Sequence, residues 1–293
     1  MPCTLQRRVR VVVFSTLLAA AGILSTELTT AEPKPPAAKK PKSDAPKLDL
    51  ARIKAALESG DEKQIMPALE ELEHAGESAK EAAPLVEALL RQGSSAPVLE
   101  KALAAAGALK QQSSSAPVAP YVRHRTPEVR RSAAKVLIKT KGPEAVKALR
   151  QALRSTDAVV RGTAATGLGA LGAKEAVPDL FGALDKYVGE AAASIGQLCA
   201  GAECDKLLER IGKQPFEIMS SGFDQLLFRP AAEVPDDQKI RVVGRLSELG
   251  TKEAGAFLAD VAERWPKDGS AKVKQALDAA VRRVGTGKSG AGG

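Results

Sequence analysis

From about residue 49 the apolar positions recur at spacings of three and four, and turn-forming residues interrupt them every 12 to 18 residues. This pattern predicts short amphipathic helices joined by tight turns, with no segment that alternates as a strand would. The helices also repeat. Val129, Ala133, Ala134 and Leu137 return 31 positions later as Val160, Ala164, Ala165 and Leu168. Glu144, Ala145, Val146, Leu149 and Leu153 return at the same offset as Glu175, Ala176, Val177, Leu180 and Leu184. A further copy lies 27 residues on, where Ala165, Leu168, Leu171, Leu180 and Leu184 become Ala192, Ile195, Leu198, Leu207 and Ile211. Another begins 78 residues after Leu171-Gly172, at Leu249-Gly250, followed by Lys252-Glu253-Ala254. Self-similarity at this period predicts stacked two-helix units.

Punctuation supports the units. Thr126-Pro127-Glu128 supplies a cap, a proline at the first helical position and an acid at the positive helix end. Gly142-Pro143-Glu144 ends one helix and opens the next, and Gly172 does the same one repeat later. One hairpin cannot bury its apolar side alone, so stability must come from neighbouring units. Residues 214–237 break the pattern with Phe216, Met219, Phe223, Phe228 and two Pro-containing turns, which predicts an irregular helix and a long loop. A final helix is expected from about residue 271 and a glycine-rich tail at 285–293.

The run from Glu128 through Leu137, followed by Pro143 through Leu149, resembles a HEAT repeat of the short bacterial kind called PBS-lyase HEAT-like. Residues 157–184 are similar, and the likeness is clearest over 126–213 and 238–264. The resemblance implies an all-α fold, a right- or left-curving α-solenoid of stacked helical hairpins, with the second helix of each pair on the concave side. It also implies a protein-interaction role, although some members are chromophore lyases or DNA-repair enzymes. Fold alone does not decide between these.

Composition agrees with such a core. Hydrophobic residues make up 44% of the 293 but aromatic ones only 3%, so Ala, Leu and Val must do the packing. That disfavours β-sandwiches and base-stacking platforms for single-stranded nucleic acid. The net charge of +8 needs dividing before it is used. Residues 1–31 place Arg7, Arg8 and Arg10 before an apolar run at 11–24, then Thr29-Thr30-Ala31 at a candidate cleavage point. This order predicts a secretory signal, with an uncleaved anchor as the alternative. Residues 32–48 hold five prolines among Lys and Ala and predict an extended linker. These two segments and Lys288 carry most of the charge, leaving +2 for residues 49–284.

Within that domain the charge is polarised. Residues 49–100 have 5 basic and 11 acidic side chains, whereas residues 101–154 have 12 basic and 2 acidic. Arg131, Lys135 and Lys139 form one helical stripe, and Lys147, Arg150 and Arg154 form another. These six are the candidate partner-binding residues, against the plainer reading of a solvated face. Phe216, Phe223 and Phe228 are a candidate apolar docking patch, against an irregular core. Cys199 and Cys204 flank a predicted turn and read as a disulfide in an exported chain, against two free thiols. His74 and His124 read as solvated turn residues, and Asp236-Asp237 as a helix-capping pair. No cofactor, metal or catalytic set is predicted.

Together these features predict an exported, periplasmic or secreted repeat scaffold that binds a protein partner, with an acidic segment as the sharper form of that idea. Binding of an anionic envelope polymer through a basic groove and a lyase-type enzyme are the alternatives. No nucleic acid is expected. Membrane contact is expected only through an uncleaved signal. The opposed charge blocks also allow self-association.

Overall fold

The structure, a computed structural model, describes residues 48–286. The signal and linker at 1–47 and the end of the tail therefore lie outside the described residues. Among the described residues there are helices and turns, with a single isolated bridge between Ile211 and Gln214 in place of any strand. The helices are α1 (Leu50–Glu58), α2 (Glu62–Ala75), α3 (Ala83–Gln92), α4 (Ala96–Leu109), α5 (Ser115–Val118), α6 (Pro127–Thr140), α7 (Pro143–Ala152) and α8 (Ala158–Ala170). They continue as α9 (Val177–Leu184), α10 (Glu190–Leu198), α11 (Ala202–Leu208), α12 (Phe216–Phe228), α13 (Asp236–Leu249), α14 (Lys252–Arg264) and α15 (Ala271–Thr286).

One row of the solenoid is α2, α4, α6, α8, α10 and α12, each packed on the next. The intervening helices α1, α3, α5 and α7 form a second row, and α9 and α11 pack beside α10. The repeat positions named from sequence are the seam. Val129, Ala133, Ala134 and Leu137 are buried, as are Val160, Ala164, Ala165 and Leu168. Each buried Leu or Val removes apolar surface worth about 2 kcal/mol from water. Alanine and glycine set the spacing. A Cβ added at Gly196 would stand 2.1 Å from the Gly222 carbonyl oxygen, so α10 and α12 meet backbone to backbone.

The register changes after α12. A loop at 229–235 leads into α13, and α13, α14 and α15 pack on one another as a second short stack. The junction between the stacks holds polar groups in buried places. Gln238 donates to the Gly201 carbonyl at 2.8 Å. The Lys239 ammonium donates to the Arg229 carbonyl and sits 5.6 Å from the Trp265 ring. Burial pushes that ammonium below its ordinary pKa, and Arg229 adds to the effect against Asp236.

Two local expectations need correcting. Thr126 precedes α6 with extended backbone but makes no side-chain cap bond; its N–H instead donates to Nδ1 of His124 at 3.2 Å. The left-handed residue ending α6 is Lys141, with φ 55°, rather than Gly142. Gly142 is needed for a different reason: a Cβ there would lie 2.1 Å from Ser115 Oγ and 2.3 Å from the Gln112 carbonyl oxygen. Gly172 is left-handed as its position suggested, with φ 67°. Helix α15 runs two residues into the expected tail.

Candidate functional site

The short α5 precedes a basic stretch of the surface. Pro120 lacks the N–H that would continue an α-helix, so the chain after Val118 tightens into a 3-10 turn at Ala119–Arg123. This second-row element is thus much shorter than α7. The difference leaves an open cavity of about 680 Å³ between the 122–125 segment, α7 and the start of α9.

Its walls carry Arg123, Arg125, Arg130, Lys147, Arg150 and Arg154, with His124 among them and Asp179 as the carboxylate. The cations are held in two ways. Arg150 donates to Asp179 at 2.7 Å and Arg154 lies 3.7 Å from the same carboxylate. Arg130 binds Asp157 at 3.0 Å and also donates to the Arg125 carbonyl. Arg123 and Arg125 are exposed and have no ion pair among the described residues. Lys147 is 73% exposed and only 4.0 Å from Glu144, a weak surface pair. Guanidinium groups in such a cluster can hold carboxylates or phosphates through paired N–H donors.

Asp157 braces this region from below. Its side chain is 2% exposed, caps α8 through the Val159 N–H at 3.0 Å, and accepts from Arg131 at 2.8 Å. Burial opposes its ionisation, but the Arg131 hydrogen bond and the backbone N–H groups of Val159 and Val160 outweigh burial. Its pKa lies below the usual carboxylate range.

The six basic residues singled out from sequence therefore separate. Lys147, Arg150 and Arg154 line the cavity. Arg131 is engaged by Asp157, and the exposed Lys135 and Lys139 lie on α6 outside the cavity lining. Arg123, Arg125 and Arg130 are not among the residues that helical spacing singles out, and His124 lines the cavity rather than standing as an isolated turn residue. Their signal was density of charge around two prolines, not helical period. Part of the charge contrast is also neutralised within the chain, because Lys101 and Lys110 reach back to Glu73 and Glu77 at 3.4 and 2.7 Å.

A second cavity of about 740 Å³ shares Arg123, His124 and Arg125 with the first. Its other walls are Leu90, Arg91, Ala116, Pro117, Pro120 and Tyr121. The Tyr121 hydroxyl donates to the Leu90 carbonyl, its ring lies 6.0 Å from that of His124, and burial raises its pKa.

The three phenylalanines do not form one exposed patch: Phe223 is fully buried, and Phe216 and Phe228 are half-buried. Phe216 packs edge-on against Phe257 at 5.7 Å, and Phe228 packs against Trp265 at 5.6 Å with the Arg264 guanidinium over its face. Large rings are needed here because the two helix stacks meet out of register, which alanine spacing cannot fill. Cys199 and Cys204 are joined as a disulfide across the α10–α11 turn, with Cα atoms 5.2 Å apart. Arg229 donates to the Cys199 carbonyl at 2.7 Å, so the stapled turn is also an anchor for the end of α12. His74 donates from Nδ1 to the Glu70 carbonyl at 2.7 Å. Asp236 and Asp237 fall in the first turn of α13 without capping it, and Asp236 accepts from Ser270.

Comparison with known proteins gives a family-model match over part of the chain and a set of distant likenesses. The family described as HEAT repeats matches residues 82–165 and 115–197. No curated protein matches. Among solved structures, the complex of CpcE and CpcF of phycocyanin lyase from Nostoc sp. PCC7120 is similar at 16% identity, covering 85% of this chain and 100% of that one, with TM-score 0.42. Human deoxyhypusine hydroxylase is similar at 15% identity over 80% and 96% of the two chains, with TM-score 0.36. A designed armadillo repeat protein in complex with the peptide (KR)4 is similar at 14% identity over 81% and 100%, with TM-score 0.41.

Proposed function

We propose that this chain, whose residues 82–197 match the family of HEAT repeats, is an exported scaffold that binds an acidic segment of another protein in its basic cavity and performs no chemistry. One observation carries this reading. Six cationic side chains surround a cavity of about 680 Å³ that contains a single lining carboxylate, and among the described residues two of the arginines make no ion pair. Excess positive charge in a recess raises the local concentration of anions and speeds their association. What the cavity gathers are groups that hold an anion by charge and hydrogen bonds. Support for export comes from the arginines followed by an apolar run at 11–24 and from a disulfide of the kind that persists in oxidising compartments.

The test is crosslinking of the native protein in fractionated cells, followed by recovery of its partner. A variant carrying Arg123→Glu, Arg125→Glu and Lys147→Glu reverses three cations that make no close buried pair. It is expected to fold normally and lose the partner. Partner recovery unchanged by that variant sinks the cavity reading, and recovery of the chain only from the cytosol sinks the export reading. Binding should also weaken as salt rises, because exposed charges act over about 10 Å at 0.1 M ionic strength.

A further inference from the structure

The second cavity adjoins the first, since Arg123, His124 and Arg125 line both, and the two differ in chemistry. Beyond the shared wall, Leu90, Ala116, Pro117 and Pro120 supply no side-chain donor, and the prolines supply no backbone N–H either. Tyr121 offers a ring, because its hydroxyl is already committed to Leu90. Arg91 is paired with the buried Glu87 at 3.2 Å. An anion has little to gain there, whereas an apolar side chain can leave water. We infer that the two cavities form one groove for an extended peptide, with acidic residues among the arginines and a neighbouring apolar side chain against Ala116, Pro120 and Tyr121.

The inference rests on the basic-cavity reading and adds the occupant's composition to it. A polyphosphate or an acidic polysaccharide repeats its charge along its length and has no apolar group for the second cavity. A peptide can change chemistry within two residues. In an extended chain, successive side chains point to opposite sides at about 3.3 Å per residue. An apolar residue two places beyond an acidic one therefore falls on the same wall of the groove.

The test is fluorescence anisotropy on the full chain with five labelled probes: a peptide of six glutamates, and the same peptide extended by serine and then leucine, or by serine and then alanine, each made with the extension at either end. Leucine at one end is expected to tighten binding by about tenfold over alanine, the gain from one partly buried aliphatic side chain. Ala116→Gln, which puts a polar group into the second cavity, is expected to bring the leucine peptide down to the affinity of the alanine peptide. Equal affinity of the leucine and alanine peptides at both ends overturns the two-part groove and leaves the basic cavity standing. The same holds if polyphosphate competes as well as the leucine peptide does. If none of the peptides binds, the basic-cavity reading itself fails and the groove with it.

Discussion

The contact between α10 and α12 gives a stability prediction whose sign runs against helix propensity. Replacing an exposed helical glycine by alanine stabilises a protein by about 0.5–1 kcal/mol, because alanine loses less backbone freedom. Gly182 in α9 is exposed and a Cβ there meets nothing within 4 Å, so Gly182→Ala should give that gain. Gly222 and Gly196 are also helical, but a Cβ at Gly222 would lie 2.6 Å from the Ala192 carbonyl oxygen, and one at Gly196 only 2.1 Å from the Gly222 oxygen. The obstacles are backbone atoms that cannot rotate aside. Restoring ordinary contact at 3.4 Å needs the helices to part by about 0.8 Å for Gly222→Ala and about 1.3 Å for Gly196→Ala. A gap of that size forfeits a quarter to a half of each dispersion contact along the seam, and overpacking of this kind costs about 1–3 kcal/mol. Net of the propensity gain, Gly222→Ala should lose about 1–2 kcal/mol and Gly196→Ala more. Thermal unfolding should show drops of about 2–4 °C per kcal/mol for a chain of this size. Trp265, the only tryptophan, reports on the junction with α12, while circular dichroism reports on every helix. In a repeat array a weakened interface can uncouple its two sides, so the two signals should separate in Gly196→Ala. A midpoint for Gly222→Ala that rises as far as that for Gly182→Ala refutes the backbone contact between α10 and α12.

Three other perturbations have expected outcomes. Asp157→Ala removes a helix cap and leaves Arg130 and Arg131 without their carboxylate, and chemical denaturation should show a loss of about 3 kcal/mol, while an effect under 1 kcal/mol would deny Asp157 its bracing role. Reducing the Cys199–Cys204 bond, or changing both to Ser, frees a short loop and should cost about 2 kcal/mol, with hydrogen exchange accelerated most at the α10–α11 turn and the end of α12; uniform acceleration along the chain would contradict the anchoring by Arg229. Asp157, Asp185 and Asp205 are held below the usual carboxylate pKa, in the last two cases chiefly by hydrogen bonds from Arg210 and Arg241, so each contributes stability that is complete above its unfolded pKa near 4 and is lost as pH falls through the lower folded value. Stability should therefore fall below about pH 4, and a midpoint that stayed flat from pH 6 to pH 2 would show that these pairs contribute nothing.

The solenoid was legible because its cause is local and repeated. Val129, Ala133 and Leu137 are buried for the same reason as Val160, Ala164 and Leu168, so one comparison of the sequence with itself exposes both the period and the core. The site has no such redundancy. It exists where one unit departs from the rest, at the four-residue α5, and a spacing argument that assumes a full helix there cannot see the recess beside it. Pro117 and Pro120 were the available signal, since two prolines three apart leave little room for a regular second helix. The phenylalanines fail as a patch for the complementary reason. Bulk in an otherwise alanine-rich chain marks a place that needs filling, and the change of register at α12 and α13 supplies it.

Charge needs a further step, because in this fold it also serves as a fastening between repeats. Arg131 with Asp157, Arg150 with Asp179, Arg210 with Asp185 and Lys110 with Glu77 each join residues 25 to 33 positions apart, close to the repeat length. A block of cations in the sequence is therefore a mixture of fasteners and free groups, and only the free groups can hold a partner. Arg123 and Arg125 are exposed, make no ion pair among the described residues, and remain available. Asp179 stands between the two classes, since it is at once a fastener for Arg150 and the one carboxylate in the cavity lining. Asp179→Asn should then weaken the fold slightly, because the pair is partly exposed, and tighten the binding of an acidic peptide by releasing Arg150 and Arg154. Measured side by side, denaturation and anisotropy should move in opposite directions. If both weaken together, Arg150 is a fastener alone, and the cavity must hold its ligand through Arg123, Arg125 and Lys147.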